Sequence, residues 1–426
     1  MNSNAQLLDL VFVLDATGSM GPWIRSAENS INSIVKSIHD SGKLASADAL
    51  RVGVMAYRDI ASEDFHEFTT KAFPLTSKIN EVQNFLRHLG AIGGGDGPEA
   101  VATALNDATN DSPNHMGWYP SSKGAHQILV HITDAPPHGI EKGDTSQSSL
   151  YSALTKAQSS FFTESPIKDA ATGGPFGKNI LKTNSLLKTN GFTYFVVSCG
   201  EMGKAYDLAV PFYRRATSGN GYMLPLSRAD LLPKAITALA LESLALNTAL
   251  EDMIKVLKPL SVGTKPSFAN DDILPASMPS FHVLLHSIAM PEVMAAKELT
   301  SEELNHIMDA AETPEDLDTM TKAFRPSPEE AIDTMHALFT AKGTKVPTLK
   351  TTVDYSFTGK ALHNWKIMES AKTPEDLVGA VSVPEGIPLT GSGSAQAVEV
   401  VHEPITKSQV ERIAHRFKAV YGTSAF

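Results

Sequence analysis

The chain has 426 residues, 42% of them hydrophobic and 19% charged, a balance that excludes a disordered chain and allows an ample core. A formal net charge of −11 argues against nucleic acid or an anionic membrane as partner. A single cysteine, Cys199, excludes an internal disulfide and a cysteine-based zinc site.

The leading MNSNAQ carries no basic segment, and the apolar run behind it is too short for a signal peptide or a membrane span. A cytoplasmic protein without membrane insertion is therefore expected. Leu8–Val13 is apolar throughout, as a buried parallel strand requires, and the run ends at Asp15. Pro22 opens a helix in which Trp23, Ile24, Ala27, Ile31, Ile34, Val35 and Ile38 recur on one face. Leu50–Tyr57 reads as the next strand and His66–Pro74 as a weaker one at the sheet edge. Ile79–Leu89 and Pro98–Asn110 read as helices on either side of a glycine-rich loop. Gln127–Thr133 is a buried strand that stops at Asp134, and Phe192–Cys199 is another central strand, preceded by a helix over Asn179–Asn190. A helix over Lys204–Thr217, a tight turn at Gly219-Asn220-Gly221, a short strand over Tyr222–Leu226 and a long helix over Asp230–Ala249 follow. This alternation predicts an α/β domain over residues 1–250, a doubly wound, mostly parallel sheet with helices on both faces in the Rossmann-like manner.

Residues 251–290 are broken by Pro259, Pro266, Pro275 and Pro279 and read as a connector with one short element at Phe281–Ala289. Residues 291–426 read as a small, mainly helical region. Its helix starts carry capping signals at Thr300, Thr313, Ser327 and Thr373, and a flexible segment lies near 383–397. Val410, Ile413, Ala414, Phe417, Val420 and Tyr421 mark one face of a terminal helix, expected to dock on the chain's own core.

Three acidic loops carry the chemistry. In Asp15-Ala16-Thr17-Gly18-Ser19, one carboxylate is followed by two hydroxyls at alternate positions, a hard, oxygen-only half-site suited to Mg²⁺ or Mn²⁺. Taken alone, Asp15 could equally cap the helix that follows. Gly93–Glu99 (GGGDGPE) adds Asp96 and Glu99 at a helix start, where capping is again the alternative, and Asp134 closes the third loop, where a turn is the alternative. Three acidic loops at one sheet edge would repel one another without a cation. His138 lies close to the third loop and reads as an exposed loop histidine, whereas His131 reads as a hydrogen-bonded core residue.

These residues resemble the von Willebrand factor A family, whose metal-ion-dependent adhesion site has the pattern D-x-[ST]-x-S, a loop ligand, and a strand-terminal Asp. Asp15, Thr17 and Ser19 match the first element and Asp134 the last. The Asp96–Glu99 loop is similar to the D-x-P-E loop of the integrin β-subunit version, which implies Glu99 as the loop ligand. Asp96 is left as a ligand, a neighbouring group or part of a second ion site. Gly21-Pro22-Trp23 stands where that version has further acidic residues, so an adjacent ion site is not implied. The wording DATGSM and GGGDGPE also resembles A domains attached to atypical alpha-kinases. The family implies no enzyme but a metal-dependent protein-binding module, in which bound Mg²⁺ or Mn²⁺ accepts an Asp or Glu from a partner. It specifies no oligomeric state. The enzyme alternative is a Mg²⁺-dependent phosphohydrolase of the haloacid-dehalogenase type, built on Asp15 and Gly95-Asp96. Against it, Thr17 stands where that chemistry needs a general acid, and the Gly-Asp motif precedes the strand ending at Thr133 instead of following it. A further alternative is a regulatory module of a kinase-type complex.

Overall fold

The computed structural model describes residues 6–59, 67–94, 97–109, 116–120, 123–138, 183, 186–188, 190–200, 202–206, 209–257, 284–285, 288, 327–351 and 397–421. The chain divides into two compact units, Met1–Leu241 with Leu349–Val401, and Glu242–Thr348 with His402–Phe426.

In the first unit the order is β1 (Leu8–Asp15), α1 (Gly21–Asp40), β2 (Leu50–Tyr57), β3 (Thr70–Thr76), α2 (Ile79–Arg87), α3 (Val101–Thr109), β4 (His126–Thr133), β5 (Thr193–Cys199), α4 (Met202–Ala205), α5 (Ala209–Thr217) and β6 (Met223–Leu226). The strands form one sheet in the order β3-β2-β1-β4-β5-β6. All neighbours are parallel except β3, which runs antiparallel to β2 at the edge. This is the doubly wound, mostly parallel α/β sheet the alternation predicts. From β1 the chain winds to β2 and β3 on one side, and from β4 to β5 and β6 on the other. The carboxyl ends of β1 and β4 therefore flank the point where the winding reverses, the place where such sheets open a crevice.

Both faces of the sheet are covered. Val11, Val13, Leu129, Tyr194 and Val196 pack against Val101 and Leu105 of α3 and Val210 and Tyr213 of α5. The alternating residues Leu10, Phe12 and Leu14 point to the opposite face and are also fully buried. Burial on both faces is why β1 reads as an unbroken apolar run. The buried face of α1 is made of Trp23, Ile24, Ala27, Ile31, Ile34, Val35 and Ile38, the residues picked out by helical spacing.

Several boundaries shift. The edge strand is Thr70–Thr76, and the helix after β5 is in two pieces, Met202–Ala205 and Ala209–Thr217. Most of the helix expected over Asn179–Asn190 lies outside the described residues. The long helix expected over Asp230–Ala249 is α6, Leu232–Leu257, preceded by a 3-10 turn at Ala229–Leu231.

The second unit has its own core. Leu246, Leu250 and Met253 cluster with Met335, Leu338 and Phe339 of α7 (Pro328–Ala341) and with Val410, Ile413, Ala414 and Phe417 of α8 (Lys407–Tyr421). The apolar face of the terminal helix thus packs within its own unit. Ser327 forms the predicted capping box with Glu330, while Thr300, Thr313, Thr373 and 383–396 lie outside the described residues. Glu242 is buried and accepts a hydrogen bond from Gln409 Nε2 at 2.6 Å, and it also pairs with Arg412. Strands β7 (Lys345–Thr351) and β8 (Val398–Pro404) form a two-stranded sheet. Among the described residues no helix is long and apolar enough to cross a membrane.

His131 is the core histidine the sequence predicts. On β4 it meets Tyr57 Oη through Nε2 at 2.7 Å and Tyr194 Oη through Nδ1 at 2.9 Å, with Tyr213 edge-on to the ring. Full burial pushes its imidazole down to about 3. The unfolded chain therefore takes up this proton first, near the ordinary histidine value, and stability is lost as pH falls from about 6.5 towards 3. Between pH 6.5 and 5 the loss from this group is about 2 kcal/mol. His131→Gln, which keeps a donor and an acceptor, is expected to lack that part of the pH slope in urea unfolding. Parallel pH profiles for the two proteins would rule the assignment out.

Candidate functional site

The site starts from Asp15, the last residue of β1, whose carboxylate is fully buried. Oδ1 accepts from the Thr17 backbone N–H at 3.0 Å and from Thr17 Oγ1 at 2.6 Å, and Oδ2 accepts from Thr133 Oγ1 at 3.1 Å. Strand register makes the last bond available, because Leu14 pairs with Ile132 and so sets Asp15 level with Thr133. The helix that follows begins behind a 3-10 turn, Gly18–Met20, and neither element has a side-chain cap. The capping alternative for Asp15 is thereby removed.

Backbone bonds tie the second loop to the other two. Gly18 N–H donates to Gly93 O at 3.0 Å and Ile92 N–H to Ala16 O at 3.0 Å. Glu99 N–H donates to Pro136 O at 2.9 Å, and Glu99 O accepts from His138 N–H at 3.2 Å, a parallel bridge to Pro137. These bonds commit the Glu99 backbone outside the helix, so α3 begins at Val101 and not at Pro98. The Glu99 side chain is buried. Gly94 has φ +90°, and a Cβ there would lie 3.1 Å from Glu99 Oε1 and 3.2 Å from Thr17 Cβ. Gly94→Ala is expected to cost about 1–3 kcal/mol through the left-handed backbone alone. A urea midpoint unchanged from wild type would show that the loop adapts instead.

Thr17, Ser19, Glu99 and Asp134 line one pocket of about 480 Å³, with Gly18, Gly93, Gly94 and Gly97 beside them. Cys199, Met202, Ala205 and Tyr206 also line it. Asp15 is bonded to Thr17 at the pocket's edge. Burial, and then the charge of Asp134, push its carboxyl up to about 7 against the hydrogen bonds from Thr17 and Thr133. Burial likewise raises Asp134, opposed by a hydrogen bond from Ser19. Asp15, Thr17, Ser19, Glu99 and Asp134 therefore come together, and Asp96 lies outside the described residues. Among the described residues no three His, Cys, Asp or Glu side chains form a metal-holding group.

The surroundings hold residues that sequence reasoning passed over. Arg58 follows β2 and is buried; its Nε donates to Ala16 O at 3.3 Å and its Nη2 to Gly90 O at 2.8 Å. One guanidinium thus fixes the first loop to the second, and no motif marks an arginine for that task. His138 is not an exposed loop histidine but is buried, with Nε2 at 2.5 Å from Asp59 Oδ1. The bridge between Glu99 and Pro137 carries it inward. Cys199 is fully buried, as the sequence predicts, and burial together with Asp134 and Asp15 pushes its thiol well up.

A family model described as the von Willebrand factor A domain matches residues 9–163. Among curated proteins, a putative ariadne-like RING finger protein (R811) of Acanthamoeba polyphaga mimivirus is 33% identical over 135 residues, 32% of this chain and 12% of that protein. Alpha-protein kinase vwkA of Dictyostelium discoideum is 28% identical over 137 residues, 32% of this chain and 20% of that protein. The match thus spans a fifth or less of either relative's length. Among solved structures, the vWF domain of the type V pili tip protein Mfa5 from Porphyromonas gingivalis is 13% identical, covering 55% of this chain and 94% of that one with a TM-score of 0.35. With the matched segment, the sheet order and the convergent loops together, the chain carries a von Willebrand factor A domain.

Proposed function

We propose that this domain binds a protein partner through a divalent cation, Mg²⁺ or Mn²⁺, held by Asp15, Thr17, Ser19, Glu99 and Asp134. The observation that carries the reading is that Thr17, Ser19, Glu99 and Asp134 line one pocket while the buried Asp15, bonded to Thr17, is raised by burial and by the charge of Asp134. A cation fits that donor set, which consists of hard oxygens with two neutral hydroxyls among them. When bound, the ion would offer a coordination position to an Asp or Glu of the partner. The chain's own groups do the rest. Thr133 and Thr17 orient Asp15, the Glu99–Pro137 bridge sets the second loop against the third, and Gly94 lets the backbone pass beside Glu99. The matched segment occurs in one protein named for a kinase and one named for a RING finger, which supports a portable binding module and not a chemistry of its own. We place the protein in the cytoplasm, in keeping with a single cysteine in 426 residues.

Calorimetric titration of the full chain with Mn²⁺ tests the reading. One ion per chain is expected, lost in Asp134→Ala. Absence of binding at millimolar Mn²⁺, or equal binding by that variant, would overturn it.

A further inference from the structure

Another opening in the α/β unit lies apart from the three loops. Lys71 and Phe73 of β3 pair with Ala56 and Val54 of β2, and as alternate strand residues they share one face. Ala72 between them packs on the opposite side, against the core that holds α3. Lys71 and Phe73 instead meet α2, where Asn80, Asn84, Phe85 and Leu89 complete a groove of about 660 Å³. That volume accepts whole side chains or small ligands. None of the lining residues belongs to the candidate cation pocket.

The groove is aromatic and carries one unanswered charge. The ring centroids of Phe73 and Phe85 are 5.2 Å apart, and both side chains are half-buried. Lys71 Nζ stands over the rings of Phe68 and Phe85, 5.5 and 6.0 Å from their centroids, and among the described residues no carboxylate pairs with it. Glu81, also in the lining, is answered by Lys78 at 3.2 Å. The complement of this surface is a flat apolar group with an anion beside it.

The helix side says what carries that group. Among the described residues the side-chain amides of Asn80 and Asn84 have no hydrogen-bond partner. Four residues apart, they share one helix face at a spacing of about 6 Å. An extended chain repeats its peptide groups along one edge every two residues, about 6.7 Å. Each amide offers both donors and an acceptor, so the two can serve successive peptide groups of one extended backbone.

We propose that the groove between β3 and α2 is a protein-interaction surface separate from the cation pocket, and that it takes an extended segment of a partner with an aromatic residue and an Asp or Glu at alternate positions. Alternate side chains of such a segment point the same way. The aromatic one lies on Phe73 and Phe85, the acid meets Lys71, and Asn80 and Asn84 hold the backbone. No cation takes part.

The test uses the full chain in EDTA and fluorescent serine-rich peptides in which Phe and Asp stand two apart, with companions carrying Ser for Phe or Lys for Asp. Fluorescence anisotropy is expected to show the Phe–Asp peptide binding about tenfold more tightly than its Ser companion, the scale of burying an aromatic side chain. Lys71→Glu is expected to invert the charge preference, so that the Lys companion becomes the tighter ligand, a result that loss of folding would not produce. Asn80→Ala combined with Asn84→Ala is expected to weaken the Phe–Asp peptide about tenfold. No binding at millimolar peptide, equal affinity for the Ser companion, a charge preference that survives Lys71→Glu, or undiminished binding by the double variant would overturn the proposal. So would self-association that Lys71→Glu abolishes, since a second copy would then be the occupant. Binding that needs Mn²⁺ and is lost in Asp134→Ala would move the peptide to the cation pocket, overturning this proposal and supporting that reading instead.

Discussion

Asp15→Asn is expected to lower Mn²⁺ affinity by about a hundredfold or more, at the top of or above the range seen when a metal site loses a supporting group, while the metal-free protein stays at least as stable as wild type. The two halves of this result come from the same hydrogen bonds. An asparagine Oδ1 still accepts from the backbone N–H and hydroxyl of Thr17, the bonds now measured at 3.0 and 2.6 Å. Its Nδ2 then donates to Thr133 Oγ1, whose single hydrogen, now given to Asp15 Oδ2, can turn to Ala135 O at 3.1 Å instead. No buried polar atom is stranded, and a fully buried carboxylate beside Asp134 is removed. Saturating cation is expected to stabilise the wild type, by about 2.7 kcal/mol at a hundred times its dissociation constant, and to leave Asp15→Asn unmoved. Thermal melts with and without Mn²⁺ check both points. A variant that melts far below wild type without metal would assign Asp15 to the fold and not to the site.

Gly221→Ala is expected to give the largest stability loss, at least about 3 kcal/mol. A Cβ at that position would lie 1.8 Å from Tyr194 O and 2.6 Å from Tyr194 C, both backbone atoms of β5. Neither can swing aside as a side-chain tip would. The strand is fixed by its parallel pairing to β4 on one side and β6 on the other. The turn itself is fixed by Gly221 N–H donating to Thr217 O at 2.9 Å and Asn220 Nδ2 donating to Phe192 O at 3.1 Å. Either β6 leaves the sheet or the turn opens. Gly42→Ala is the control: its φ is +68° but nothing lies within 4 Å, so only the left-handed backbone is penalised, by about 1–2 kcal/mol. In urea, Gly221→Ala should lose a midpoint of roughly 1 M or more and Gly42→Ala distinctly less. Equal losses would overturn the steric argument and leave only a backbone effect at both positions.

The sequence by itself determined what depends on neighbours along the chain. Burial on both sheet faces writes an apolar run into Leu8–Leu14, and burial on one helix face writes the spacing of Trp23 to Ile38. A carboxylate at a strand end needs no partner to be visible, so Asp15 and Asp134 could be read directly. The tertiary structure decided what depends on residues far apart. The bond from Thr133 to Asp15 spans 118 positions. The bridge from Glu99 to Pro137 shortens α3, draws His138 inward and leaves no local trace. Arg58 joins two loops through carbonyls that any residue would supply. Ile92 reads like any buried isoleucine, and only the path of its loop turns it outward. Local periodicity records that a side chain is buried; which groups meet at the sheet edge is set by strand order and register, which bring distant segments together.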